Sequence, residues 1–60
     1  MKLVYGEILR QTQKAVEYKF DERRVWIPIS QIIKEDLPMG IVEIPDWLAK
    51  AKEITEYRMP

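Results

Sequence analysis

Two runs in which apolar and polar residues alternate constrain the fold of this chain more than any other feature. The first run is AVEYKF at residues 15–20, and the second is VWIPI at residues 25–29. A period of two is typical of a strand with one buried face, and the charged DERR between the runs is short enough for a hairpin loop. We therefore predict an antiparallel hairpin whose inward residues are Val16, Tyr18, Phe20, Val25, Ile27 and Ile29.

The segments on either side of this hairpin predict two further strands and a helical turn. Residues 2–11, KLVYGEILRQ, favour a strand that bends at Gly6. After the hairpin, Ser30 is suited to cap a short helical turn over QIIKEDL, which would return Ile32 and Ile33 to the core. The motif LPMG then ends that turn, and IVEI at residues 41–44 predicts a short fourth strand.

The C-terminal segment PDWLAKAKEITEYR predicts one helix. Pro45 suits its first position, and Asp46 is favoured there by the helix dipole. The apolar residues that share one helical face are Trp47, Leu48, Ala51 and Ile54. We therefore predict a single α+β domain over residues 1–60: a curled antiparallel sheet of three or four strands, SH3-like or otherwise barrel-like, with one C-terminal helix packed on it.

A chain this short needs a stabilising device beyond its own core. It has 60 residues with neither cysteine nor histidine, so disulfides, thiolate metal sites and the commonest metal ligand are excluded. Oligomerisation remains, and we expect a homo-oligomer. Charged residues make up 33% of the chain, and Ile, Glu and Lys dominate it, a bias that favours a thermostable protein.

The opening MKLVYGEILR forms no signal-peptide core, and no apolar run approaches membrane-spanning length. We therefore expect a cytoplasmic protein that makes no membrane contact. We also expect no catalysis and no cofactor or metal, because Ser30 has no histidine to activate it and the two glycines form no phosphate-binding loop. The adjacent Glu35 and Asp36 are interpreted as solvated turn residues.

Trp26 and Pro28 are the most informative pair for function. A proline inside a strand is tolerated on an edge, and the alternation places both residues on the face opposite the core. One interpretation is that the helix or the curl of the sheet covers Trp26. The other is that Trp26 contacts a partner. We expect a non-catalytic binding module that acts through protein contacts and predict its contact residues as Trp26, Pro28, Arg23 and Arg24.

The alternative function is a small single-stranded nucleic-acid-binding barrel. Basic and aromatic residues interleave around the hairpin, and small barrels bind single strands by stacking bases on aromatic rings in a basic groove. The residues predicted for this function are Lys14, Lys19, Arg23, Arg24 and Trp26. The net charge of zero, ten basic against ten acidic residues, argues against a protein that wraps duplex DNA. Tyr57 and Met59 are predicted to extend an apolar strip that suits a dimer.

The segments KAVEYKF, VWIPISQI and VEIPDWLAKAKEI together form a pattern of motifs. The order W-[IV]-P-x-S-x-I followed by [IV]-P-x-W-L-A resembles that of small uncharacterised proteins of phages and other mobile elements. The resemblance covers residues 14–54 and transfers no site residue. It implies an accessory protein that binds a host protein or nucleic acid. Such proteins usually carry a lysine or arginine directly after W-I-P, where this chain has Ile29.

Overall fold

The computed structural model describes the whole chain, residues 1–60. Six short strands, one α-helix and two 3-10 helices make up its regular structure. In chain order the strands are β1 (Lys2–Val4), β2 (Glu7–Gln11), β3 (Ala15–Phe20), β4 (Arg23–Pro28), β5 (Lys34–Asp36) and β6 (Ile41–Glu43). The helix α1 spans Asp46–Ala51, and the 3-10 helices span Ile29–Gln31 and Thr55–Tyr57.

The predicted hairpin is confirmed, in the register that the alternation requires. Val16 lies opposite Ile27, and Tyr18 lies opposite Val25. All four side chains are buried. Strand β2 pairs with the other side of β3, so β2, β3 and β4 form an antiparallel meander, which we call the hairpin sheet.

The hairpin turn is tighter than the four-residue connection that the sequence predicted. Arg23 and Arg24 already belong to β4, which leaves a two-residue turn. Asp21 adopts a left-handed conformation there, with φ of 54°, which aspartate tolerates better than most residues. The strand therefore begins two residues earlier, and Arg23 and Arg24 point to opposite faces of the sheet.

The N-terminal segment forms two strands instead of the single bent strand predicted over residues 2–11. Gly6 separates them: β1 pairs with β6, whereas β2 pairs with β3. The Gly6 N–H donates to the carbonyl oxygen of Lys19 at 2.8 Å. A Cβ on Gly6 would lie 3.4 Å from that same oxygen. That distance is an ordinary van der Waals contact, so the hydrogen bond to Lys19 marks the point where the chain changes sheets but does not itself require a glycine.

The second sheet has the order β1-β6-β5 and is antiparallel throughout; we call it the terminal sheet. Its edge strand β5 corrects the prediction of a helical turn over QIIKEDL, because only Ile29–Gln31 is helical and residues 34–36 are extended. Ser30 lies inside that 3-10 helix and caps nothing, since the N-cap position is held by Pro28 without a side-chain hydrogen bond. Gly40, with φ of 67°, ends the turn that leads into β6.

The C-terminal helix is shorter than predicted, and its buried face differs. It ends at Ala51, and Glu53 takes a left-handed conformation with φ of 58°, so the apolar spacing from 47 to 54 does not describe one continuous helix. Leu48 and Ile54 are buried as predicted, whereas Trp47 is 61% exposed and Ala51 is also exposed. No helix in the structure has the length and apolar character needed to cross a membrane.

The two sheets and the helix share one core. The predicted residues Val16, Tyr18, Phe20, Val25, Ile27, Leu48 and Ile54 belong to it, together with Leu3, Tyr5, Val42, Ile44 and Ala49. Ile29 does not, because it lies in the first 3-10 helix and is 37% exposed. Ile32 packs against the core, but Ile33 is 61% exposed. The α+β class with small antiparallel sheets is confirmed; the strands pair as two separate sheets and show no closed barrel.

Candidate functional site

The outer face of the hairpin sheet carries most of the residues that the sequence singled out. Cross-strand pairing places them in three rows: Glu7, Lys19 and Arg24; Arg10, Glu17 and Trp26; and Ala15 with Pro28. We call this surface the tryptophan face. An irregularity in β2 between Ile8 and Arg10 sets its middle row, because it places Ile8 opposite the buried Tyr18 and Arg10 opposite Glu17.

Arg10, Glu17 and Trp26 form a compact polar arrangement at the centre of this face. Glu17 is the only charged residue that is buried, with 4% of its surface exposed. The Arg10 Nε–H donates to the Glu17 Oε1 at 3.0 Å, and the Arg10 Cζ lies 5.6 Å from the centre of the Trp26 ring. The Arg10 side chain nevertheless remains 68% exposed. One guanidinium therefore pairs a buried carboxylate, contacts an indole and stays accessible.

Trp26 and Pro28 lie where the alternation predicted, on the face opposite the core. Pro28 is exposed near the end of β4, an edge strand of its sheet, where its missing N–H costs little. Trp26 is half-buried. The Arg10 guanidinium lies over its ring.

Arg23 does not join Trp26 and Arg24, although the sequence grouped all three. Its position in β4 is paired with Phe20, a core residue. The Arg23 guanidinium donates to the carbonyl oxygens of Lys52, at 2.9 Å, and Glu53. These carbonyls end helix α1, where a cation is favoured by the helix dipole. Arg23 therefore attaches the helix to the hairpin sheet.

The remaining basic residues predicted for nucleic-acid binding lie at the two ends of the tryptophan face. Lys19 and Arg24 are cross-strand neighbours on the tryptophan face. Lys14 lies at the far end of the face, where it lines a shallow hollow with Pro28 and Ile29. The sequence missed Arg10, because the irregularity in β2 that brings it opposite Glu17 has no local signature in the sequence.

A second surface, on the outer face of the terminal sheet, was not predicted as a site. Lys2, Glu43 and Lys34 form one cross-strand row, and Val4, Ile41 and Asp36 form the next. A groove of about 270 Å³ opens here, which we call the methionine groove; the residues that line it are Lys2, Lys34, Asp36, Met39, Ile41, Glu43 and Met59. Its rim is electrically balanced, and Met39 and Met59 are 67% and 40% exposed.

The apolar strip predicted from Tyr57 and Met59 is divided between two environments. Tyr57 is half-buried and stacks on Phe20, with ring centres 5.2 Å apart. Met59 instead lies beside β1, where its N–H donates to the Lys2 carbonyl oxygen at 2.8 Å. Of the predicted strip, only Met59 contributes to the methionine groove.

The core contains one polar atom without a hydrogen bond of standard geometry, the hydroxyl oxygen of Tyr18, although the Glu35 carboxylate is near enough to act on its pKa through hydrogen bonding as well as charge. Burial raises the pKa of this hydroxyl above its ordinary value, and the Glu35 carboxylate raises it further. Burial and the same carboxylate also raise the pKa of Tyr5, whose ring centre lies 4.8 Å from that of Tyr18. Both hydroxyls therefore stay protonated at neutral pH.

No group of three or more acidic side chains converges to hold a metal ion.

Comparison of the chain with protein-family models, with curated proteins and with solved structures finds no match in any of the three.

Proposed function

We propose that the chain is a non-catalytic binding module that acts through protein contacts, and that a second copy of the chain is the partner. The observation that carries this proposal is the methionine groove. Three of the seven exposed large hydrophobic side chains, Val4, Met39 and Met59, belong to its sheet face or its lining. The proposed contact surface is therefore on the terminal sheet, whereas the sequence predicted it around Trp26 on the hairpin sheet.

The side chains of the groove suit a protein interface. Methionine is flexible and polarisable, so it adapts to the shape of a partner, and it is enriched in interface cores. By contrast, the large apolar side chain of the tryptophan face, Trp26, is only half-exposed and lies under the Arg10 guanidinium, so this face offers a partner less apolar surface. The methionine groove is therefore the better candidate for protein contact.

The charges on the rim favour a second copy of the same surface. Two lysines and two acidic residues balance, so the face presents both signs to a partner. A two-fold axis that runs along the strands between β5 and β6 would set Glu43 of each copy against Lys34 of the other, because symmetric interfaces are self-complementary. The two pairs would lie beside the axis and fix the register of the copies, and Met39 and Met59 would contact the partner around them.

The finer fold expectation, an SH3-like or barrel-like module, belongs with this proposal. Two small antiparallel sheets over one core are compatible with that architecture, whose members bind very different ligands. This analogy supports a binding function in general and does not select the partner.

The test is the mass in solution, measured by light scattering over a dilution series. We expect a dimer that dissociates on dilution. Met39→Lys together with Met59→Lys should give a monomer with an unchanged far-ultraviolet circular dichroism spectrum, because both side chains are exposed and burying an unpaired charge opposes association.

The matched control is Trp47→Lys, which places the same charge at a residue that is 61% exposed and does not line the groove. This variant should remain dimeric. A wild-type monomer at every concentration would overturn the proposal, as would a double variant that still dimerises.

A further inference from the structure

We propose that the tryptophan face is a binding surface for single-stranded nucleic acid, with Arg10 over the Trp26 ring as the platform for a base. This inference concerns the hairpin sheet, whereas the methionine groove lies on the terminal sheet, and it does not depend on dimerisation. It rests on two observations: a guanidinium that a buried carboxylate holds against an indole, and an excess of positive charge on the same face.

The platform is organised before any ligand arrives. Glu17, buried and paired through its Oε1, holds Arg10 at the place where the guanidinium contacts Trp26. Because the Arg10 side chain is 68% exposed, it is available to an incoming base. Unpaired bases stack on arginine guanidinium planes as well as on aromatic rings. The arrangement therefore offers a stacking layer whose orientation has already been fixed.

The charge around the platform is complementary to a phosphate backbone. Four basic side chains lie on the face or at its end, against two acidic ones, Glu7 and Glu17; the basic residues are Arg10, Lys14, Lys19 and Arg24. Since the whole chain has ten charges of each sign, the face carries an excess of two positive charges and the rest of the chain an excess of two negative ones. Because Arg10 and Glu17 neutralise each other, the excess is carried by Lys14, Lys19 and Arg24 against Glu7.

The basic residues follow a path along the strand. Arg24, Trp26 and Pro28 point the same way from β4, and Lys14 adjoins Pro28. Four residues of a strand extend about 13 Å. The acidic turn at residues 21 and 22 bounds the path beyond Arg24, so a bound strand would run from Arg24 across the platform toward Lys14. Flanking phosphates would then meet Lys19, Arg24 and Lys14 while a base stacks at the centre.

The central experiment measures binding of labelled oligothymidylate, oligouridylate and a duplex of mixed sequence by fluorescence anisotropy over a salt series. We expect the single strands to bind more tightly than the duplex, because only unpaired bases can stack. The oligouridylate arm reports whether RNA binds as DNA does. Equal or tighter binding of the duplex would overturn the proposal, and so would no binding of either single strand at low salt.

The sharpest variant is Arg10→Lys, which keeps the positive charge beside Glu17 but removes the flat guanidinium. Loss of a stacking contact should weaken binding about 5- to 150-fold while leaving the slope of affinity against salt unchanged. Arg24→Gln removes one phosphate contact to a single strand, so it should lower the slope of affinity against salt by about 0.7. If both variants bind as the wild type does, the platform is not the site.

Two controls separate this proposal from the others. Lys50→Gln removes a positive charge from the exposed side of α1 and should leave binding unchanged. An equal loss of affinity with Lys50→Gln and Arg24→Gln would indicate diffuse attraction and overturn the site.

In a Trp47→Phe background Trp26 is the only tryptophan, and its fluorescence should be quenched by oligothymidylate. If Arg10→Lys instead abolishes dimerisation without changing oligonucleotide binding, the face is a protein contact and the proposal is wrong.

Discussion

At the scale of single residues, the position of one side chain relative to its neighbour decides its role. Arg23 and Arg24 are adjacent in the sequence and identical in type, yet one binds the end of α1 and the other lies on the tryptophan face. The sequence grouped them in the hairpin loop, whereas their positions in β4 make them diverge. The sequence also does not reveal the carbonyl oxygens that Arg23 meets, because these lie 29 and 30 residues away along the chain.

The two arginines allow a matched test. Arg23→Ala should lower the free energy of unfolding by about 1 kcal/mol, the order of a hydrogen-bonded contact of a charged group after discounting for solvent exposure. Arg24→Ala should change it by no more than about 0.5 kcal/mol, as surface substitutions usually do. Urea denaturation followed by circular dichroism measures both. Equal effects would contradict the attachment of the helix by Arg23.

A second residue-scale prediction concerns the unpartnered hydroxyl of Tyr18. A buried hydroxyl without a hydrogen bond costs free energy, whereas the ring itself is fully buried and packed. Tyr18→Phe should therefore raise the free energy of unfolding by about 1 kcal/mol at neutral pH. Tyr57→Phe, at a half-buried ring, is the control and should be close to neutral. A destabilised Tyr18→Phe protein would show that the hydroxyl has a partner in solution.

The same hydroxyl predicts a response to alkaline pH. Because burial raises the pKa of Tyr18 above 10.0, the folded protein holds the phenolic proton at pH values where the unfolded chain has lost it. The contribution of Tyr18 to stability should therefore be constant below about pH 10 and should fall as pH rises beyond it. Denaturant titrations between neutral pH and pH 11 measure the slope. Because the pKa values of Tyr5 and Tyr57 are raised as well, Tyr18→Phe should reduce the slope without removing it, and an unchanged slope in that variant would assign the effect to the other two tyrosines.

At the scale of elements, local pattern predicted the β3–β4 hairpin with its register and the strand β6, but not β5 or the pairing of the terminal sheet. In the hairpin, six consecutive pairs follow from alternation and a tight turn. The strands of the terminal sheet have three residues each, and β1 pairs with β6 over a long separation, as Lys2 does with Glu43. Three residues are too few to display a period, so their extended state is decided by pairing partners that the local sequence does not show.

The prediction of the C-terminal helix was wrong in its length and buried face for a related reason. Apolar residues at 47, 48, 51 and 54 satisfy a helical period, yet α1 ends at Ala51 and the chain turns at Glu53, which leaves Trp47 and Ala51 exposed. The candidate sites differ in the same way, because local pattern groups the residues of one site and not those of the other. Trp26 and Pro28 were predicted to share one face because they alternate along a strand, whereas the methionine groove joins β1, β5 and β6 with two turn or tail residues.

At the scale of the whole molecule, the two sheets have different outer faces over a single core. A domain of 60 residues buries only about 60% of the surface that its unfolded chain exposes, so association through the methionine groove would add to a small intrinsic stability. Binding that involves only the folded state raises stability in proportion to the logarithm of partner concentration. If the partner is a second copy, the melting temperature becomes a function of the protein concentration itself.

We therefore expect the melting temperature to rise with protein concentration, by about 4–8 °C for each kcal/mol that association contributes in a domain of this size. Differential scanning calorimetry over a wide range of concentrations measures the shift. The double variant with Met39→Lys and Met59→Lys should melt at one temperature throughout, since its partner surface is lost, and Trp47→Lys should behave as the wild type. Because Lys substitutions at exposed residues change little within a monomer, the three proteins should converge at the lowest concentration, where each is monomeric. A wild-type melting temperature independent of concentration would show that the core alone stabilises the fold and that the groove is not a contact between copies.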